Sequence, residues 1–576
     1  CADPDSIPDD LRRAWVDHSD AFHDVMDTAG LVAHLDLVIT VDTMVAHLAG
    51  AMGIPVWLLL PFAPDWRWML GRDDSPWYPT MRLFRQPEPG AWAQVVDRVR
   101  DELMRSVANR VPATGQLESA TTIGDALRLH ESGDLAAASE AYRAILRAVP
   151  DDPDALYLLS VLGHQTGRPD EGLRSVRRLL ALQPNHPEGW NSLGNLLHDS
   201  GDLCGAEEAF RHALRIRPDY GDVVYNLGRV LCDQWQLDEA LVCCERARAL
   251  GVRETLARNN AGLVLYRQGK ISEAIAEYRT ALAIDPSFAD AHWNLAHALL
   301  HTGAFAEGWK EYEWRWARPE FRGMLAGHTK PLWDGTPMHG KTILLWAEQG
   351  FGDLIHCLRY LRTVAGRGLR IVMEVPVPMV RLVAALPEVA EVVPRGALPP
   401  HDVQLPIMSL PGVLGSPEGA EPTGPFITAD APARARWEER FVHIGSALRV
   451  GIVWTGSRTN TAGRDRSVPI DALAPLAELP GIFFVDLQKD DADDGFAGSP
   501  LAASGADWTH ELNDFADTAA LIAVLDVVVT IDTAVAHLAG ALGKDVVLLL
   551  SRHHDWRWGN EGDTTRWYGS FRLLRQ

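Results

Sequence analysis

A glycine that returns about every 34 residues, the period of a helical-hairpin repeat, constrains this chain more than any other feature. Gly133, Gly167, Gly201, Gly269 and Gly303 fall in register, and Trp235 takes the remaining slot. Five residues after each comes a small residue: Ala138, Gly172, Ala206, Ala240, Ala274 or Gly308. Pro150, Pro184, Pro218 and Pro286 close successive units. A glycine permits the turn between two helices, the small residue lets them approach closely, and the proline ends the second helix. Large apolar residues at helical spacing fill the interior, such as Trp190, Leu193 and Leu197 on one helix and Phe210 and Ala213 on the next. The expected architecture over 119–320 is an all-α solenoid of about six units, since each helix pair buries its apolar face only against the next.

A second repeat has an offset of about 490 residues, far outside the range of repeat units. LDLVITVDTMVAHLAGAMG (Leu35 to Gly53) recurs as LDVVVTIDTAVAHLAGALG (Leu525 to Gly543), DWRW at Asp65 recurs at Asp555, and RLFRQ at Arg82 recurs as RLLRQ at Arg572. Residues 1–110 therefore read as the C-terminal part of a first, incomplete α/β domain, and residues from Lys330 to Gln576 as most of a second copy. After RLFRQ the first copy continues PEPGAWAQVVDRVRDELM, a closing helix with Trp92, Val95, Val96 and Val99 on one face, which the second copy lacks. The chain begins at Cys1 without a signal-peptide pattern and stops directly after a strand-like run, so a fragment of a longer polypeptide is expected.

From Thr342 onward apolar, β-rich runs alternate with helical stretches: TILLW, RIVMEV, EVVP and VQLPI, then, past a Pro, Gly and Ala-rich boundary, RVGIVW, IFFVDL, DVVVTI and DVVLLL. Continuous apolar strands separated by helices predict parallel sheets covered on both faces. Two series predict two Rossmann-like lobes, over 330–430 and 435–576, with a cleft between them. Ligands bind such sheets beyond the carboxyl ends of the strands. There the first lobe carries Glu348 to Asp353, where Gly350 and Gly352 permit a tight turn, but Ile355 stands where the third glycine of a dinucleotide fingerprint belongs. In the second lobe Asp532 and Thr533 open a helix whose N-terminus favours an anion, and His537 lies on the same helix face as Thr533. Ser457, Arg458, Arg464, Arg466 and Ser467 follow RVGIVW in a Gly-containing loop suited to a diphosphate.

A formal net charge of -23 over 576 residues opposes a broad nucleic-acid surface, so any anionic ligand is held locally. The longest apolar runs fall far short of the roughly 18 residues that cross a bilayer. Six scattered cysteines without paired CxxC spacing argue for reduced thiols in a cytoplasmic setting and against a zinc module. No metal site and no cofactor are expected.

GWNSLGNLLHDSGDLCGAEEAFRHALRIRP, Gly189 to Pro218, resembles the tetratricopeptide family, and the resemblance runs from about Thr122 to Arg318. GFGDLIHCLRYL (Gly350 to Leu361), VGIVWTGS (Val450 to Ser457) and IDTAVAHLAGALG (Ile531 to Gly543) resemble bacterial heptosyltransferase-like glycosyltransferases of GT-B architecture. The whole arrangement resembles bacterial tetratricopeptide-repeat proteins fused to such a domain. That resemblance implies metal-independent, inverting transfer of a sugar from a nucleotide-diphosphate donor. By it, Asp353 is the general base, Asp532 a second catalytic residue that orients sugar hydroxyls or acts as an alternative base, and Thr533 and His537 belong to the donor site with Gly352, Ser457, Arg464 and Arg466. Ala534 replaces the family's usual glycine, and its phosphate-binding lysine has no counterpart other than Arg464 or Arg466, which keep the charge and change the geometry. The animal-type O-linked N-acetylglucosamine transferases also join such repeats to a GT-B domain, but no motif here ties this chain to them.

Simpler readings stand beside these. Asp353, Asp532 and Thr533 are also good helix caps. His537 on an apolar helix is equally a buried histidine bonded within the core. DWRW is first of all aromatic mass for packing, and secondly a pair of stacking rings with Arg557 reaching a phosphate. The groove of the solenoid suits a protein or peptide partner, with Asn191, Asn195, Asn226, Asn259 and Asn294 near the first helices, or the solenoid merely spaces its neighbour. A rival to the enzyme is a tetratricopeptide scaffold carrying an inert glycosyltransferase-like domain.

Overall fold

The computed structural model describes residues 25–110 apart from 34, 63, 66, 67, 70, 71 and 76, and then 122–396, 398–415, 424–456, 466–489, 495–552 and 554–576. These fall into two units, Cys1–Ala120 and Thr121–Gln576.

In the second unit twelve helices run from Ile123–Glu131 to Phe305–Tyr312 as successive antiparallel pairs. The turn glycines take the left-handed conformation the repeat implies; Gly201 has φ +84° with open space around it. Trp235 accepts the same conformation at φ +63°, with the Arg267 guanidinium over its ring at 4.9 Å, so an indole occupies a glycine slot. The small residues sit at helix crossings: Ala138, Ala206, Ala240 and Ala274 are fully buried. A Cβ on Gly194 would lie 2.4 Å from Phe210 Cε1, which is why the position facing that ring is a glycine. Asp134, Asp152 and Asp202 cap their helices by accepting backbone N–H bonds. Four of the five asparagines pair across repeats, Asn226 Nδ2 donating to Asn191 Oδ1 at 3.0 Å and Asn294 to Asn259 at 2.9 Å. They tie neighbouring units together, a use that their positions on separate helices did not reveal.

Beyond the solenoid stand two wholly parallel sheets. The first contains β4 (Thr342–Trp346), β5 (Arg370–Val375), β6 (Val389–Pro394) and β7 (Val403–Pro406), in spatial order β6-β5-β4-β7. The second contains β8 (Leu448–Ile452), β9 (Ile482–Asp486), β10 (Gly505–Asp507), β11 (Val527–Ile531), β12 (Asp545–Leu550) and β13 (Phe571–Arg575), in order β10-β9-β8-β11-β12-β13. The second is the doubly wound 3-2-1-4-5-6 arrangement and the first its four-strand counterpart. The link between them docks on the second lobe: Phe426 and Ile427 both donate to the Ala541 carbonyl, at 2.9 and 3.1 Å.

The first unit holds β1 (Val38–Val41), β2 (Val56–Leu60) and β3 (Met81–Arg85), paired in parallel, followed by the helix Trp92–Arg110. Its register, Val38 with Val56 and Val56 with Met81, is that of Val528 with Val546 and Val546 with Phe571. Val95 and Val99 of the helix are buried against Phe84, whereas Trp92 and Val96, expected on the same face, are exposed.

The two kinds of glycine respond differently to a methyl group. Gly201→Ala is expected to destabilise by about 1–2 kcal/mol through backbone strain alone, and Gly194→Ala by about 1–3 kcal/mol through overpacking against Phe210. Denaturant unfolding of the two variants checks this, and an unchanged midpoint for Gly201→Ala contradicts the left-handed turn.

Candidate functional site

In both lobes strand order reverses beside the first strand, between β4 and β7 and between β8 and β11, and the crevice for a ligand opens there. After β4 the chain turns through Glu348 and Gln349 into the helix Phe351–Cys357, with Gly350 at its N-cap. After β11 it turns through Asp532 into the helix Ala534–Ala541, with Thr533 at the N-cap. The two turns meet: a Cβ on Gly352 would lie 2.9 Å from His537 Cδ2. Glycine at 352 is thus required by lobe-to-lobe contact.

Asp353 reaches across this contact. Its Oδ1 accepts from Arg557 Nη2 at 2.7 Å, and Arg557 Nη1 bonds Asp555 Oδ1 at 2.9 Å. The Arg557 side chain is 5% exposed. Burial opposes its charge, but the carboxylates of Asp555 and Asp353 outweigh that and raise its pKa. The DWRW motif therefore contributes an ion pair between lobes. Its tryptophans are buried, as the packing reading has it, Trp556 beside Trp567 and Trp558 stacked on Phe571.

Asp532 is buried, and its Oδ2 accepts from Arg466 Nη1 at 2.9 Å. Burial, reinforced by the negative charge of Asp555, pushes the Asp532 carboxyl above the usual range against the pull of Arg466. Enclosure acts on Asp555 in the same sense, but Arg557 holds that carboxyl low. Thr533 makes no side-chain cap, and its hydroxyl lies 3.3 Å from that of Thr530.

His537 is enclosed between the lobes. Its ring is 4% exposed, bonded through Nδ1 to the Tyr568 hydroxyl at 3.0 Å and stacked on Trp558 at 5.2 Å. Burial, with Arg557 beside it, holds its pKa well below the ordinary value. The imidazole is enclosed at the lobe contact, packed against Gly352 of the first lobe. Ser457, Arg458 and Arg464 lie outside the described residues.

The first unit repeats this local geometry without the enclosure. His47 Nδ1 lies 3.1 Å from the Tyr78 hydroxyl, and its ring stacks on Trp68 at 5.3 Å. Yet the His47 and Asp42 side chains are 34% and 30% exposed.

Sequence reasoning passed over Asp486 and Gln488, which stand at the carboxyl end of β9. Gln488 Oε1 accepts from the Thr455 amide at 2.9 Å, and Asp486 Oδ1 accepts from the Gln488 amide at 2.7 Å. Burial pushes the Asp486 carboxyl up to about 7. The available signal was a carboxylate closing the apolar run IFFVD. Among the described residues no cluster of His, Cys, Asp and Glu is placed to hold a metal ion, and no helix is long and apolar enough to cross a membrane.

The Asp486 shift has a definite sign. The unfolded chain releases this proton near pH 4 and the folded one near 7, so folding stability falls as pH rises between those values, by no more than about 1.4 kcal/mol per pH unit, and is flat above. Asp486→Asn removes that fall and is expected to be the more stable protein at pH 8. Parallel unfolding curves for the two proteins from pH 4 to 8 contradict the assignment.

Comparison with known proteins gives matches to separate parts of the chain. Residues 513–570 match Glycosyltransferase family 9 (heptosyltransferase). Residues 129–196, 187–220 and 225–254 match tetratricopeptide repeats, and 262–303 a TPR repeat. Protein FlbA of Caulobacter vibrioides is 26% identical over 308 residues, 48% of this chain and 50% of that protein. The chain thus spans about half the length of this curated relative. Similar solved structures include TTC0263, a thermophilic TPR protein in Thermus thermophilus, with 25% identity over 30% of this chain and 95% of that one and a TM-score of 0.27. YrrB, a TPR protein with an unusual peptide-binding site, is 24% identical over 33% and 97% of the two chains, with a TM-score of 0.26.

Proposed function

We propose, on the premise that this chain joins tetratricopeptide repeats to a glycosyltransferase family 9 segment, that it moves a sugar from a nucleotide-diphosphate donor to an acceptor hydroxyl. The observation that carries this reading is the meeting of two strand-end turns, one bearing Asp353 and the other Asp532, Thr533 and the Arg466 guanidinium.

The donor diphosphate sits at the N-terminus of the helix Ala534–Ala541, where backbone N–H groups and the Thr533 hydroxyl donate to it. Arg466, the described member of the arginine loop, brings the positive charge. Asp532, engaged by Arg466 and raised by burial, suits hydrogen bonding to sugar hydroxyls better than proton abstraction. Asp353 is the base. With Oδ1 on Arg557, its Oδ2 takes the acceptor proton as the acceptor oxygen bonds to the anomeric carbon and the diphosphate leaves from the opposite face. One displacement inverts the anomeric configuration, and the arginines and helix terminus neutralise the leaving group without a metal.

The solenoid recruits the acceptor or a protein partner. A space of about 850 Å³ between Trp235, Asp238, Arg267 and Lys270 of the repeats and Ser551 and Arg552 of the second lobe is where a bound polypeptide meets the transferase domain. The scaffold reading is favoured by one observation, that the carboxylate of Asp353 is already engaged by Arg557.

Incubation of the protein with UDP-, GDP- and ADP-linked hexoses and ADP-linked heptose separates the two. Donor turnover is expected, and Asp353→Asn is expected to lower kcat by about 100-fold or more while nucleoside-diphosphate binding stays within about twofold. Unchanged kcat in Asp353→Asn removes the base assignment. Calorimetric titration with UDP, GDP and ADP that shows no binding favours the scaffold.

A further inference from the structure

The last helix pair of the solenoid, Ala289–Thr302 and Phe305–Tyr312, does more than abut the α/β domain. It runs into a short 3-10 segment, Glu313–Ala317, and together they grip both lobes. Toward the second lobe, Phe305 packs on Trp567 at 5.8 Å and Trp309 on Trp556 at 5.5 Å, the tryptophan next to Arg557. Toward the first lobe Trp316 packs beside Trp346 of β4 at 5.8 Å, and polar contacts land on the two residues before Gly350. The Tyr312 hydroxyl accepts from Gln349 Nε2. Arg315 Nη2 donates to Glu348 Oε1 at 3.2 Å and to Ser409 Oγ at 2.7 Å. Its Nη1 donates to Glu313 Oε1 at 2.8 Å, and its guanidinium lies over the Trp316 ring at 4.2 Å.

Arg315 is fully buried and so is the Glu348 side chain. Burial pushes the Glu348 carboxyl up to about 7 against the pull of Arg315. A junction that only joined a solenoid to its neighbour would be held as well by apolar side chains of similar volume, because burying an ion pair gives back in attraction little more than desolvation takes. What a buried pair with fixed hydrogen bonds adds is a defined orientation. Here the oriented object is the turn five residues ahead of which stands Asp353, and the aromatic grip on the other side holds the residue that Asp353 bonds.

We propose that the terminal repeat hairpin is part of the transfer site, with Arg315 and Tyr312 as positioning residues that set the turn carrying Asp353 against Arg557. This rests on the transferase reading for its consequence and on the geometry alone for its structural content. The solenoid is then no detachable adaptor: its last pair fixes both lobes at the crevice, and the first lobe's turn depends on side chains the α/β domain does not supply.

The test uses the full chain with Arg315→Met, Arg315→Lys and Tyr312→Phe, read by steady-state kinetics on the donor that wild type turns over and by hydrogen exchange across residues 348–357. Arg315→Met is expected to lower kcat roughly 10- to 100-fold with donor KM within about twofold, and to speed exchange in the turn. Arg315→Lys is expected to recover part of the loss, and Tyr312→Phe, which removes one hydroxyl and keeps the ring, to give a smaller change of the same kind. Should Arg315→Met fail to fold, Tyr312→Phe carries the test. Unchanged exchange and kcat in Tyr312→Phe and Arg315→Met overturn the proposal, as does a loss in which KM rises and kcat stays. A wild type inactive on every donor, with faster exchange in the variants, sinks the transferase reading and leaves the positioning role standing.

Discussion

A guanidinium buried between carboxylates from different lobes organises the candidate site. Arg557, on a short turn of the second lobe, bonds its neighbour Asp555 and reaches Asp353 of the first. Breaking such an arrangement would strand a buried charge, at a cost of about 3–5 kcal/mol, so the two lobes are held in one relation where the turns meet. Much else follows from that relation. Gly352 has no room for a side chain because His537 is against it, His537 is neutral because it is enclosed, and Asp532 is raised by burial, reinforced by Asp555, which Arg557 keeps charged nearby.

The same geometry gives unequal surroundings to the two aspartates expected to share the chemistry. Asp353 lies at the edge of the contact with its side chain 26% exposed, while the Asp532 side chain is 5% exposed and tied to Arg466. Environment rather than residue type separates the two carboxylates. The solenoid enters the same account, since its terminal hairpin touches the aromatic shell of Arg557 on one side and the turn of Asp353 on the other.

Much of the fold was legible in the sequence because its determinants are local and periodic. The turn glycines and the small residues at crossings act within one helix pair, and the apolar runs from TILLW to DVVLLL each became a parallel strand. The site was legible in part. Asp353, Asp532, Thr533 and Gly352 do stand at strand ends, as their motifs implied. The enclosure of His537 was not legible, because a histidine facing an open crevice and one sealed by a neighbouring lobe share the same local sequence. The Arg315–Glu348 pair joins residues of the repeat tail and the first lobe, and no spacing rule connects them.

The duplicated segment shows where local information ends. The sequence alone determined the strand register, the histidine–tyrosine bond and the stacking of that histidine on tryptophan, for all three recur in both copies at distances within a few tenths of an ångström. Tertiary structure decided whether those residues are buried: the His47 side chain is 34% exposed, while His537 is 4% exposed, beneath a turn from the opposing lobe. Backbone sterics and nearby side chains set conformation within one segment, but solvation and charge depend on what covers it, and the cover comes from residues nearly two hundred positions away.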